Sequence, residues 1–157
     1  MKLAYFANGK LGCQVFDQLL AWEQPPVVLI LNAPAKRRQG TALYERAQHH
    51  GIPVLEAQNL TEDRLCSHAP THGLSVLYGH ILRPRTLALF DGGITNLHTS
   101  LFPANRGANP NVWPLVDGSP AGVTFHQIDA GVDTGPIYAQ RAIPVSPDDD
   151  AGTLYER

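Results

Sequence analysis

Three polar residues in the second half of the chain, Asn96, His98 and Asp133, have the side chains that acyl transfer to an amine requires. An amide N–H can donate to the oxyanion that develops on a carbonyl, an imidazole can hold charge or move protons, and a carboxylate can hold the imidazole. Asn96 and His98 are two residues apart, so on a strand both side chains point to the same face. An Asn that satisfies a turn and a His that caps a strand end would give the same pattern. The pair is therefore a catalytic candidate whose meaning depends on its surroundings.

The composition is that of one folded domain. The chain has 157 residues, of which 43% are hydrophobic and 17% charged, and its net charge is -2. These values argue against a disordered chain and against a general attraction to nucleic acid or to an anionic membrane. No apolar run reaches the length of a membrane span, residues 1–6 do not resemble a signal peptide, and Cys13 and Cys66 stand in no motif. We expect a soluble, cytoplasmic protein with two reduced thiols.

Strand and helix signals alternate along the chain. The apolar run Val27–Leu31 is typical of a strand covered on both faces, and apolar residues at helical spacing predict a helix over 10–20. The sequence predicts strands at 3–6, 27–31, 52–54, 74–77, 93–97, 123–128 and 137–143, and further helices at 41–49, from 61 onward and at 86–90. This order predicts an α/β fold, with a Rossmann-like, open, mostly parallel sheet and helices on both faces.

Ligands of such sheets bind beyond the carboxyl ends of the strands, where the Asn8-Gly9-Lys10 turn and the segment 96–103 are expected. The amides of the turn could hold an anion, although a plain strand-to-helix connection has the same sequence. The turn lacks the three spaced glycines of a dinucleotide site, so a hydride-transfer cofactor is not expected.

Four motifs follow one another in the second half of the chain. They are Asn96-Leu97-His98-Thr99-Ser100-Leu101-Phe102-Pro103, Arg106-Gly107, Gly122-Val123-Thr124, and the loop from Asp129 to Gly135. In these motifs the sequence resembles the 10-formyltetrahydrofolate-dependent formyltransferase family, and the resemblance extends over nearly the whole chain. It implies that residues 1–157 are a catalytic domain with the formyltransferase fold. Because the acidic helix start at Asp148-Asp149-Asp150 is followed only by 151–157, we expect this domain to lack its C-terminal end.

The resemblance also implies a role for individual residues. A neutral primary amine would attack the formyl carbon of the cosubstrate 10-formyltetrahydrofolate, with Asn96, His98 and Asp133 as the catalytic residues and no metal. The implied folate-binding residues are His80, Ile81, Leu82, Asp129, Gly131, Val132 and Asp133. The implied acceptor-binding residues are Asn8, Gly9, Lys10, Ser100, Pro103, Asn105, Arg106, Gly107 and Trp113. Ile81 and Leu82 could equally be ordinary core residues.

The acceptor is the least determined part of the prediction. The segment from Arg106 to Trp113 is more similar to the formyltransferases of amino sugars and of secondary metabolism than to those of tRNA. A nucleotide-linked amino sugar or another small amine is therefore preferred, with methionyl-tRNA and glycinamide ribonucleotide as alternative acceptors. The basic cluster Lys36-Arg37-Arg38 would suit phosphates, although a solvated loop explains it as well. Two alternative functions belong to a different class: hydrolysis of the same cosubstrate, and folate binding without catalysis.

Overall fold

The computed structural model describes residues 1–33 and 41–157. The cluster Lys36-Arg37-Arg38 lies outside the described residues. The chain divides into two compact units, residues 1–95 and residues 96–157.

The first unit alternates strands and helices. Its strands are β1 (Leu3–Ala7), β2 (Val28–Leu31), β3 (Val54–Glu56) and β4 (His72–Val76). Its helices are α1 (Gly9–Ala21), α2 (Ala42–His49), α3 (Glu62–Cys66) and α4 (Pro84–Leu87), with a short 3-10 helix at Ala57–Asn59. β1 pairs in parallel with β2 and β4, and β2 pairs in parallel with β3.

The core of the first unit explains why the strands are apolar throughout. Every residue of β1 and β2 is buried, which requires cover on both faces of these strands. Phe16 and Leu19 of α1 are buried as the helical spacing predicts. The side chain of Asn8 accepts from the N–H of Gly9 and caps α1, so this residue acts locally as a helix N-cap.

The second unit contains the end of β5 (Ile94–His98), followed by α5 (Trp113–Asp117), β6 (Ala121–Gln127), β7 (Ile137–Ile143) and α6 (Ala151–Glu156). β6 and β7 pair antiparallel. The strand order is β3-β2-β1-β4-β5-β6-β7. The predicted α/β class with an open, mostly parallel, Rossmann-like sheet is confirmed.

Some helices and strands begin or end at other residues than predicted, because the backbone conformation of a single residue sets the boundary. β4 ends at Val76, before Leu77, whose positive φ of 56° is incompatible with a strand. α4 begins at Pro84, two residues before the predicted start, because proline suits the first turn of a helix. α5 was not predicted, and its five residues carry too short a pattern to reveal it. α6 begins as predicted after the acidic segment, with Asp150 as its N-cap.

Two smaller predictions concern membranes and thiols. Among the described residues, no helix is long and apolar enough to cross a membrane. Cys13 and Cys66 are free thiols, the first buried and the second exposed.

Candidate active site

The second unit brings the three predicted catalytic residues together. Asn96 and His98 lie on β5, and Asp133 lies in the loop between β6 and β7. Nδ1 of His98 is 3.6 Å from Oδ2 of Asp133. The amide of Asn96 reaches this group through a fourth residue, His126 of β6. Nε2 of His126 is 3.2 Å from Nδ2 of Asn96 and 3.5 Å from Oδ1 of Asp133.

Asp133 is held in place by backbone groups of the Arg-Gly turn. The N–H of Gly107 donates to Oδ2 of Asp133 at 3.0 Å. Asp133 itself adopts a left-handed conformation with φ of 54°, which is uncommon for a residue with a side chain. Such a conformation persists where the surroundings determine it, and it is common at functional sites.

Each nitrogen of the His98 ring faces an oxygen atom. Nε2 is 3.1 Å from the carbonyl oxygen of Asn105. Because a carbonyl only accepts, we assign the proton of the neutral ring to Nε2, which leaves the Nδ1 lone pair facing Asp133. His98 is 8% exposed, and the carboxylate beside Nδ1 would stabilise a proton gained there.

Burial and charge act in opposite directions on this pair. The pKa of His98 is below its usual value because burial, the largest cause, and His126 lower it, although Asp133 and the carbonyl of Asn105 raise it. Burial alone would raise the pKa of Asp133, but His126, His98 and the N–H of Gly107 outweigh this effect and lower it. The pair at neutral pH is therefore a neutral imidazole beside an ionised carboxylate.

The loop after β5 is anchored to β6 and β7 by a buried hydroxyl. Oγ1 of Thr124 donates to the carbonyl of Ser100 at 2.7 Å and accepts from the N–H of Phe102 at 3.2 Å. Nε2 of Gln140 donates to the same Thr124 oxygen and to the carbonyl of Phe102, both at 3.0 Å. This network fixes the loop that carries Asn105 and Gly107.

An aromatic ring borders His98 and His126. The ring centroid of Phe102 is 5.1 Å from that of His98 and 4.9 Å from that of His126. The guanidinium of Arg106 lies over the Phe102 ring, 5.0 Å from its centroid. The apolar ring reduces access of water to both imidazoles, and the exposed Arg106 leaves a positive charge at the surface.

The remaining predicted acceptor-binding residues of the second unit differ in solvent exposure. Ser100 is fully buried and its hydroxyl donates to Ala104, so the structure places it inside the loop. Pro103 and Arg106 are exposed, and Trp113 is 46% exposed with its N–H directed at Ala108.

The predicted folate loop is ordered by its own aspartate. The carboxylate of Asp129 accepts from the N–H of Gly131 at 3.0 Å and from the hydroxyl of Thr134 at 2.7 Å. Val132 is 58% exposed at the tip of this loop.

The predicted residues of the first unit follow the ends of β1 and β4. Asn8 and Gly9 are buried at the start of α1, and Lys10 is exposed. After β4, His80 is half-buried, Ile81 is 78% exposed and Leu82 is 7% exposed. Leu82 is thus a core residue of its unit, whereas Ile81 is an apolar side chain at the surface.

Sequence reasoning missed His126 as a site residue. It is 1% exposed, and its Nδ1 is 2.9 Å from the carbonyl of Gln127. The available signal was a histidine in an apolar, alternating strand that leads directly into the loop of Asp133. Asn105 and Gly107 are predicted to bind the acceptor, which stays a prediction, and the structure shows that their backbone groups also contact His98 and Asp133.

His98, His126 and Asp133 also form a group with the donor types of a metal site, with one ligand atom from each within 4.8 Å of the others. One of the two nitrogens that face Asp133, Nε2 of His126, already lies beside the Asn96 amide. The absence of a metal stays a prediction.

Known proteins are similar to this chain over its whole length. Residues 1–157 match the Formyl transferase family. The chain is 30% identical to the methionyl-tRNA formyltransferase of Geobacter sulfurreducens, over 100% of this chain and 53% of that protein. It thus spans about half the length of the curated relatives it matches.

Solved structures show the same fold over a larger share of their length. The phosphoribosylglycinamide formyltransferase of Bacillus halodurans has a TM-score of 0.83 at 26% identity, with 99% of this chain and 86% of that chain covered. The glycinamide ribonucleotide transformylase 1 of Geobacillus kaustophilus has a TM-score of 0.81 at 27% identity, with coverage of 99% and 89%. A sugar N-formyltransferase from Shewanella is similar in fold, with a TM-score of 0.75 at 20% identity over 99% of this chain and 62% of that one. The chain belongs to the formyl transferase family.

Proposed function

We propose that the chain transfers the formyl group of 10-formyltetrahydrofolate to a small primary amine. The observation that carries the proposal is the grouping of an amide, a neutral imidazole and an ionised carboxylate in one partly buried cluster, with Nδ1 of His98 3.6 Å from Oδ2 of Asp133. Family membership supports the class of donor, and the geometry is consistent with the role proposed for each residue.

The cluster matches the charges that the reaction develops. The amine nitrogen attacks the formyl carbon, and the carbonyl oxygen gains negative charge, to which an N–H of Asn96 donates. His98 takes a proton from the attacking amine at Nδ1, where Asp133 stabilises the imidazolium. The bond between the formyl carbon and N10 then breaks, and the proton passes to N10 of the leaving tetrahydrofolate. One N-formyl amine and one tetrahydrofolate result.

Two segments are proposed to bind the folate. Ile81 offers an exposed apolar side chain, which suits a flat heterocycle. The loop from Asp129 to Asp133 offers backbone groups in a conformation fixed by Asp129. Substitutions in each segment test its part in folate binding separately.

The charge of the second unit favours a small acceptor. Residues 96–157 contain no lysine and three arginines, against seven acidic residues (Asp117, Asp129, Asp133, Asp148, Asp149, Asp150 and Glu156). A protein binds the phosphate backbone of a nucleic acid mainly through basic side chains. This acidic composition therefore disfavours a nucleic acid near the catalytic residues. The structural relatives that it matches almost fully are named for phosphoribosylglycinamide, a small acceptor.

A second candidate acceptor is methionyl-tRNA. It is favoured by the 30% identity with methionyl-tRNA formyltransferases, of which this chain spans about half. In such a case the contacts to tRNA would have to come from outside the acidic second unit.

A transfer assay separates these functions. The purified chain is incubated with 10-formyltetrahydrofolate and, in turn, phosphoribosylglycinamide, a nucleotide-linked amino sugar and methionyl-tRNA. We expect tetrahydrofolate and N-formyl amine to appear in equal amounts with one small amine. Equal release of tetrahydrofolate without any amine would indicate a hydrolase instead. Folate binding without release would indicate a binding protein, and His98→Asn is the inactive control.

A further inference from the structure

We propose that His126 is a positioning residue that orients the amide of Asn96 for the oxyanion, by accepting one of its two N–H groups. This role rests on the proposed formyl transfer, since the oxyanion arises in that reaction. The sequence assigns no role to His126, and the structure places its Nε2 3.2 Å from Nδ2 of Asn96.

The first step of the argument concerns the tautomer of His126. Its Nδ1 is 2.9 Å from the carbonyl oxygen of Gln127, and a carbonyl can only accept. The proton of the neutral ring therefore lies on Nδ1, and Nε2 carries the lone pair. His126 thus becomes a fixed acceptor at the end of a buried strand.

The second step concerns the amide. Nδ2 of Asn96 lies 3.2 Å from this lone pair, so one amide N–H donates to His126. This contact also decides which end of the amide is nitrogen, because an oxygen at that position would face the lone pair. The second N–H then has a defined direction, as an oxyanion donor requires.

The third step concerns the surroundings that hold His126 itself. The ring is 1% exposed, and it packs against Phe102 at a centroid distance of 4.9 Å. Oδ1 of Asp133 lies 3.5 Å from the same Nε2, so a ring with a proton on Nε2 would donate to this carboxylate instead of accepting from Asn96. In the neutral ring Nε2 accepts from Asn96, and Oδ2 of Asp133 remains beside Nδ1 of His98.

The side chains of Gln and Asn provide a matched pair of substitutions. In His126→Gln the terminal amide oxygen can occupy the place of Nε2 and accept from Asn96. In His126→Asn the shorter amide can occupy the place of Nδ1 and donate to Gln127, but no acceptor reaches Asn96. We expect His126→Asn to lower kcat by roughly 10²-fold with little change in KM, as small misplacements in active sites do. His126→Gln should recover most of kcat.

A double-mutant cycle then tests whether the effect passes through Asn96. In the Asn96→Ala background, His126→Asn should have little further effect on kcat, because the group that it orients is gone. Equal losses for the Gln and Asn variants, or a full additional loss in the Asn96→Ala background, would overturn the proposal.

A spectroscopic measurement on the unaltered protein is independent of activity and of how the variants fold. We expect ¹⁵N chemical shifts of the His126 ring near neutral pH to report the Nδ1–H tautomer. The Nε2–H tautomer, or a protonated ring, would refute the proposed contact even in an active enzyme. Absence of formyl transfer together with the Nδ1–H tautomer would instead count against the proposed function and leave the hydrogen bond established.

Discussion

Oδ2 of Asp133 lies 3.6 Å from Nδ1 of His98, and the N–H of Gly107 donates to the same oxygen at 3.0 Å. The backbone thus fixes the carboxylate at a position where it can stabilise a proton on His98. This distance suits an ion pair that forms only when the ring gains its proton. We therefore expect substitutions in this pair to lower the rate of catalysis.

Neutralising this carboxylate should slow the chemical step. In Asp133→Asn the imidazolium loses its counter-charge, and we expect kcat to fall by roughly 10²–10⁴-fold, the range of general acid–base catalysis. Steady-state rates of tetrahydrofolate release measure the effect. Asp148→Asn, at an exposed aspartate, is the matched control and should keep the rate. A normal kcat for Asp133→Asn would remove Asp133 from the mechanism.

The rate should fall on the acid side of neutrality because His98 must be neutral to accept a proton. Burial lowers the pKa of His98, so the neutral form persists below the usual histidine value of about 6.5. We therefore expect the acid limb of the kcat/KM profile to lie below that value, with a plateau above it. An acid limb above pH ~7 would contradict a base whose pKa is lowered. The pKa of Asp133 is lowered as well, so its ionised form persists throughout this range.

Thr124 should be more important for stability than its size suggests. Its fully buried hydroxyl binds Ser100, Phe102 and Gln140. Thr124→Val keeps the shape but leaves buried partners unsatisfied, which costs about 1–3 kcal/mol in the free energy of unfolding. Urea denaturation measures the change, and Thr124→Ser, which keeps the hydroxyl, is the control. Equal stability of the two variants would show that the network contributes little.

Truncation of Ile81 should change the KM for the folate, whereas truncation of Leu82 should change the stability of the fold. Ile81 is 78% exposed, so Ile81→Ala should leave stability unchanged and raise the KM for 10-formyltetrahydrofolate, by roughly tenfold for a lost contact of about 1.4 kcal/mol. Leu82 is 7% exposed, so Leu82→Ala should lower stability by about 2–5 kcal/mol. Donor titrations and thermal melts separate the two effects. An unchanged KM for Ile81→Ala would exclude Ile81 from the folate site.

Removal of metal should not affect turnover. Within the cluster of His98, His126 and Asp133, the hydrogen bonds to Asn96 and Gly107 already fix the amide and the carboxylate. We expect the protein to keep its kcat after dialysis against EDTA and transfer to metal-free buffer. A loss that Zn²⁺ restores would show that these three side chains hold a required cation.

Much of the fold follows from local patterns. The continuous apolar runs of β1 and β2 and the helical spacing in α1 predict elements of the right type, because each pattern reflects burial within a few residues. The ends of the elements were less predictable. The positive φ of Leu77, for example, depends on the path of the chain after β4 and leaves no mark in the residue type.

The sequence alone determined which chemical groups the site contains. Asn96 and His98 share a face because strand side chains alternate, and the ordered motifs that include Asp133 identify the family. Only the tertiary structure decided how these groups are held. It places His126 beside Asn96, 30 residues away in the sequence, and directs the carbonyl of Asn105 and the N–H of Gly107 at His98 and Asp133. Every residue except proline has the same backbone N–H and carbonyl, so their direction depends on the folded path of the loop and not on residue type.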